Sequence, residues 1–127
     1  MSKMKWNILT VLYMGLIIYE SLKPYYPQPG DSKIKEFFHN VAHIPAYSLL
    51  VYLFLHNFLK QGRREQSIAF VGAVLFGVGL EILQGFFPGR EPSLLDIASN
   101  TLGAGLTLFL LKHNYIRLME SSCEAKG

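Results

Sequence analysis

An all-α integral membrane protein, folded as a compact bundle of four transmembrane helices, is the fold class this sequence predicts. Three observations predict it. Four apolar segments, each near the roughly 20 residues that span a hydrocarbon core, follow one another along 127 residues. Charged residues make up 17% of the chain, against about 25% in soluble domains, and they sit in short clusters between those segments. The run Ala69-Phe70-Val71-Gly72-Ala73-Val74-Leu75-Phe76 is apolar all round, as a helix buried in lipid or protein is and a surface helix is not. The length leaves no room for a second core, so residues 1–127 read as a single membrane domain.

The first segment, residues 6–22, follows Lys3 and Lys5 and stops at Lys23-Pro24. Its basic start has the form of a signal peptide. Tyr19, Glu20, Ser21 and Leu22 make no small-residue cleavage site, so it is expected to stay as an anchor. The second, 37–59, carries Pro45, which should kink the helix and free a carbonyl. The third, 67–87, begins after a charged turn over 60–65 and ends at Pro88-Gly89. The fourth, 94–111, follows Glu91-Pro92-Ser93, with Ser93 as N-cap and Asp96 three residues on as an approximate capping box. A short re-entrant turn is expected between helices three and four, and a loose polar tail from Glu120.

The net charge of +3 flanks the apolar segments instead of forming a patch, which excludes nucleic acid as a partner and fits a topology signal. The one cysteine, Cys123, makes no intrachain disulfide. Four spans put both termini on one side. That side carries Lys3, Lys5, Lys60, Arg63, Arg64, Lys112, Arg117 and Lys126, eight cations, against Lys23, Lys33, Lys35 and Arg90, four, on the other. The positive-inside rule therefore places both termini in the cytoplasm.

Helix direction then sorts the polar residues. Glu20 and Ser21 end helix one at the outer face. His39, His43 and Tyr47 lie in the outer half of helix two, four apart and on one side. Glu81 and Gln84 lie near the outer end of helix three, Arg90 in the following loop, and Asp96 and Asn100 in the first two turns of helix four. Asn7, His56, Asn57, His113 and Asn114 are expected at or beyond the opposite surface. A carboxylate at bilayer depth is costly, so Glu81 and Asp96 should face the bundle interior and find partners. Arg90 is the natural partner, by a bidentate pair, and its fork could equally bind a phosphate. Ala73 and Gly77 below Glu81, and Ser99, Gly103 and Thr107 on helix four, are the small residues that let helices approach. Tyr25 and Tyr26 suit interfacial anchoring.

Glu81, Asp96 and His43 are the candidate catalytic groups, and Arg90, Gln84, Asn100, Tyr47 and His39 the candidate ligand-binding ones. His39 and His43 have zinc-type ligand chemistry with Glu81 or Asp96, but no longer metal motif accompanies them, so no metal or other cofactor is expected. A closed hydrogen-bond network that only fixes the fold is the plain alternative for Glu81, Asp96, Arg90 and Asn100.

Ser21 and Pro24 after helix one, Asp31, Lys33, His43 and Tyr47 around the start of helix two, and Glu81-Ile82-Leu83-Gln84-Gly85-Phe86-Phe87-Pro88-Gly89-Arg90, followed by Ser93, Asp96 and Asn100-Thr101-Leu102-Gly103, resemble the VanZ-like family of bacterial membrane proteins. The resemblance covers nearly the whole chain. It departs where the family has His-Phe before its Tyr and this chain has His43-Ile44-Pro45-Ala46-Tyr47. It implies a multi-pass protein of the bacterial cell envelope, in a family whose named member is associated with resistance to the glycopeptide teicoplanin. Three functions stay open. One is an outward-facing site for a membrane lipid, a lipid-linked cell-wall precursor or a glycopeptide. Another is an intramembrane enzyme acting on a lipid-linked phosphate or ester through Glu81, Asp96 and His43. The third is a small proton-linked carrier, which with four helices would need an oligomer.

Overall fold

The computed structural model describes residues 3–24, 30, 33–58 and 62–124, with side chains as far as residue 114. It is all-helical, with no strand among the described residues: α1 Lys3–Leu22, α2 Lys33–Asn57, α3 Arg63–Gln84 and α4 Leu94–Glu124. Tyr25, Tyr26, Asp31, Lys60 and Lys126 lie outside the described residues, as do the side chains of Arg117 and Cys123.

Three of the helices, Lys33–Asn57, Arg63–Gln84 and Leu94–Asn114, are long and apolar enough to cross a membrane. α1 falls outside that set, and its Asn7, Thr10, Tyr13 and Glu20 show why. The outward surface is that of a membrane protein. Val11, Leu12, Phe38, Leu75, Leu102 and Phe109 are each about two-thirds exposed, far more large apolar surface than a soluble monomer shows to water.

The helix bounds correct the sequence reading at several ends. α2 and α3 begin four residues earlier than expected, because Lys33, Lys35 and Glu36, and Arg63, Arg64 and Glu65, are sound helix formers. Apolarity marks the buried part of a helix, not its ends. α3 stops at Gln84 instead of residue 87. The Gly85 amide bonds Ile82 O at 3.2 Å, Phe86 bonds Leu83 O at 3.1 Å and Phe87 bonds Gln84 O at 2.9 Å, so the ladder tightens to three-residue turns. Gly89 then takes a positive φ of 71°, which glycine adopts without strain. α4 starts at Leu94 as expected but runs beyond 111 to Glu124, since neither Gly nor Pro interrupts 112–124. Pro45 sits within α2 without ending it.

α2 and α4 pack most closely. A Cβ added at Gly103 would lie 2.2 Å from the carbonyl oxygen of Ile44 and 2.9 Å from its Cα, so only hydrogen fits between the two backbones. Tyr47, Leu50, Val51 and Ala104 fill the seam, each 1% exposed or less. One turn further along, Thr107 Oγ1 donates to Ser48 O at 2.6 Å, which leaves the Ser48 hydroxyl to donate to Thr107 Oγ1 at 2.7 Å. Ala69, Ala73 and Gly77 give α3 its small buried face. α1 joins through Ile17 and through Tyr13, whose hydroxyl donates to Ala46 O at 3.0 Å. The opposite end of the bundle is more ordered than the sequence suggests. Asn57, half-buried at the end of α2, donates from Nδ2 to Thr10 Oγ1 at 2.9 Å. His56 packs between Trp6 and Tyr52, with ring centroids 4.3 and 4.2 Å away.

Candidate functional site

At the end of the bundle formed by the close of α1, the first half of α2, the close of α3 and the start of α4, the predicted polar residues meet. They divide into two groups by what they bond.

The first group fastens the helices together. Ser93 is the N-cap of α4: its Oγ accepts from the Asp96 amide at 3.3 Å. A capping box would return the favour through the side chain of residue 96 to the Ser93 amide. Here Glu81, from α3, fills that role, its Oε2 accepting from Ser93 N at 2.9 Å. Glu81 is 2% exposed, and a carboxylate at a helix N-terminus is favourably placed against the helix dipole. Gln84, 3% exposed, donates from Nε2 to Ser21 O at 2.9 Å. Arg90 donates from Nε to Lys23 O at 3.1 Å and from Nη2 to Glu20 O at 3.3 Å. Among the described residues no ion pair joins Arg90 to Glu81 or Asp96. The expected bidentate pair gives way because the close of α1 offers carbonyls without helical donors. Beside them Lys23 Nζ pairs with Glu20 Oε2 at 3.1 Å on the surface.

The second group is less complete. With Glu81 serving Ser93, Asp96 is left to face α2. Asp96 is 6% exposed, and its Oδ1 is buried without a hydrogen-bond donor. It lies 4.0 Å from His43 Nε2, beyond hydrogen-bond reach. The other ring nitrogen, His43 Nδ1, is 2.7 Å from Asn100 Oδ1. An amide oxygen only accepts, so with Asn100 in this orientation Nδ1 carries a proton, and Nε2 is the ring nitrogen that faces Asp96. Asn100 is 2% exposed and Tyr47 1%. Both crowd Gly77: a Cβ there would stand 2.8 Å from Asn100 Nδ2 and 3.1 Å from the Tyr47 hydroxyl. Tyr47 also stacks with His43, centroids 6.3 Å apart at 13°. His39, one turn before His43, is exposed and meets it edge-on at 5.2 Å. The arrangement is a buried acid with an unfilled acceptor, an imidazole held by Asn100 and an exposed second imidazole beside it.

Of the eight sequence-predicted residues, His39, His43, Tyr47, Asp96 and Asn100 form this second group, and Glu81, Gln84 and Arg90 belong to the first. Ser93 and the α1 carbonyls of Glu20, Ser21 and Lys23 were missed as partners. The signal for the carbonyls was present: α1 ends at Lys23-Pro24 with no glycine C-cap, so its last carbonyls need donors from elsewhere.

A family model described as VanZ/LLP1 matches residues 3–117. No curated protein and no solved structure matches the chain.

Proposed function

The chain belongs to the VanZ/LLP1 family, and we propose that it is a multi-pass protein of the bacterial plasma membrane that holds a polar headgroup at its outward-facing end. In this reading α1 is the fourth span, the turn between α3 and α4 is re-entrant, and both termini are cytoplasmic. The bound group belongs to a membrane lipid, a lipid-linked cell-wall precursor or a glycopeptide, with a role in teicoplanin-type resistance. The observation that carries it is the unfilled acceptor on Asp96. A buried polar atom without a partner costs about 1–3 kcal/mol. Asn57 Oδ1 shares that state at the opposite end of the bundle, and what sets Asp96 apart is its acidic group and the two imidazoles, His43 and His39, gathered beside it. Exposed His39 opens this group outward, and Lys23 and Arg90 stand at the same end of the bundle, at the close of α1.

In cells, Asp96→Asn is expected to abolish the protein's contribution to glycopeptide tolerance while leaving membrane insertion intact. Arg90→Ala should do the same with some loosening of α1. Full tolerance in both variants would remove the site from the account. Sidedness is tested in a Cys123→Ser background. An impermeant thiol reagent on intact cells is expected to label Ser32→Cys and spare Gly62→Cys, and the reverse pattern would invert the topology.

A second reading, an intramembrane enzyme on a lipid-linked phosphate or ester, is favoured by the closeness of His43 Nε2 and Asp96 Oδ1, 4.0 Å apart. The two are groups of the types that carry acid–base chemistry, with Glu81 committed to Ser93. Turnover of a labelled lipid precursor by purified protein, lost in His43→Gln, would select this reading over binding alone.

A further inference from the structure

We infer that His39, His43 and Asp96 form a binding site for a divalent transition-metal ion of the zinc type. Ligand atoms of the three side chains all lie within 4.8 Å of one another. Sequence alone gave no metal motif, because the third ligand comes from another helix 53 residues on (96 − 43). The inference goes beyond headgroup binding and does not rest on it.

The geometry turns on what lies between His43 and Asp96. His43 Nδ1 donates to Asn100 Oδ1 at 2.7 Å, so the neutral ring aims a lone pair from Nε2 at Asp96 Oδ1, 4.0 Å away. An ionised Asp96 Oδ1 is also an acceptor, and no donor reaches it. Two facing acceptors repel, and either a proton on the imidazole or a metal ion between them relieves the conflict; a metal ion also engages the third convergent group, His39. Ligands of a tetrahedral zinc ion, at about 2.0–2.2 Å from the metal, are about 3.4 Å apart, so a side-chain shift of roughly half an ångström closes this pair on an ion. His39 is one helical turn from His43, the i, i+4 spacing that puts two imidazoles on one metal. Its exposed ring can swing to bring a nitrogen in. The Asn100 amide is the outer partner that metal-bound histidines have, holding tautomer and ring orientation. Three protein ligands leave a fourth position, on the exposed His39 side, for water or an incoming oxygen ligand.

The test uses the full chain, purified without a histidine tag in detergent or nanodiscs and without added lipid precursor, so a negative result here leaves headgroup binding to be judged separately. Zn2+ titration by calorimetry is expected to give one ion per chain, and Co2+ to give the visible absorption of a four-coordinate site. His39→Ala, which alters an exposed side chain, and Asp96→Asn should each weaken Zn2+ binding by about 100-fold or more, and Asn100→Leu by about 10–100-fold. His56→Ala and His113→Ala should leave it unchanged. Zn2+ affinity that is unchanged in His39→Ala and Asp96→Asn, or lost equally in His56→Ala or His113→Ala, or a wild-type protein that binds no Zn2+, would overturn the inference.

Discussion

Replacing Gly103 with alanine is expected to be the most damaging single-methyl change in the chain. The added Cβ would fall 2.2 Å from Ile44 O, with Ile44 C and Cα at 2.9 Å. All three atoms are backbone, so no rotamer change relieves the clash, and α2 must withdraw from α4. That withdrawal disturbs Tyr47, Leu50 and Val51, which are essentially inaccessible, and stretches the paired Ser48–Thr107 hydrogen bonds. Overpacking a tight core typically costs 1–3 kcal/mol, and a backbone clash belongs at the upper end, about 3 kcal/mol. Gly79→Ala is the matched control. Nothing lies within 4 Å of the Cβ it would add, so it gains the ordinary helix preference for alanine, roughly 0.5–1 kcal/mol. Unfolding of both variants in mixed micelles, read by the denaturant midpoint, should move in opposite directions. Equal midpoints would contradict the close approach of α2 to α4.

The second large effect is expected at Glu81. Glu81→Ala removes the acceptor for the Ser93 amide at the N-terminus of α4 and leaves that donor without its partner. Hydrogen bonds between helices in membranes average only about 0.6 kcal/mol. This one involves a buried carboxylate and a helix N-terminus, which raises the expected loss to about 2 kcal/mol. Glu81→Gln keeps an oxygen that can accept from Ser93 and is expected to recover most of the stability. If glutamine and alanine were equally destabilising, charge and not the hydrogen bond would be holding α4. Because Ser93 also caps the Asp96 amide, alanine at 81 should loosen the first turn of α4 and weaken ligand binding more than glutamine does.

The helices were legible because three of them are long and predominantly apolar, and alternating helix direction then forces the polar interruptions His43, Glu81, Asp96 and Asn100 towards one end. Gly77, Gly103 and Thr107 were legible as contact residues from their size and four-residue spacing. The pairing was not. Arg90 and Gln84 bond main-chain carbonyls of α1, and a carbonyl carries no residue signature. Glu81 took the place expected of Asp96 in the cap of α4 because the chain folds back through Gly85–Arg90, and composition does not reveal that path. The strongest sequence motif, from Glu81 to Arg90, bonds helix ends to one another, and Asp96 is left facing α2 with its Oδ1 unfilled.

The claim that this end of the bundle is a binding site is tested most directly by one comparison, made in nanodiscs with a fluorescent lipid-linked cell-wall precursor. Wild-type protein and Asp96→Asn are titrated side by side, and the unfolding midpoint of each is measured on the same samples. The expected result is a clear loss of precursor binding in Asp96→Asn at an unchanged midpoint, since asparagine preserves the shape while removing the charge. Equal binding by the two proteins would contradict the account, and a lowered midpoint with equal binding would assign Asp96 to the fold alone.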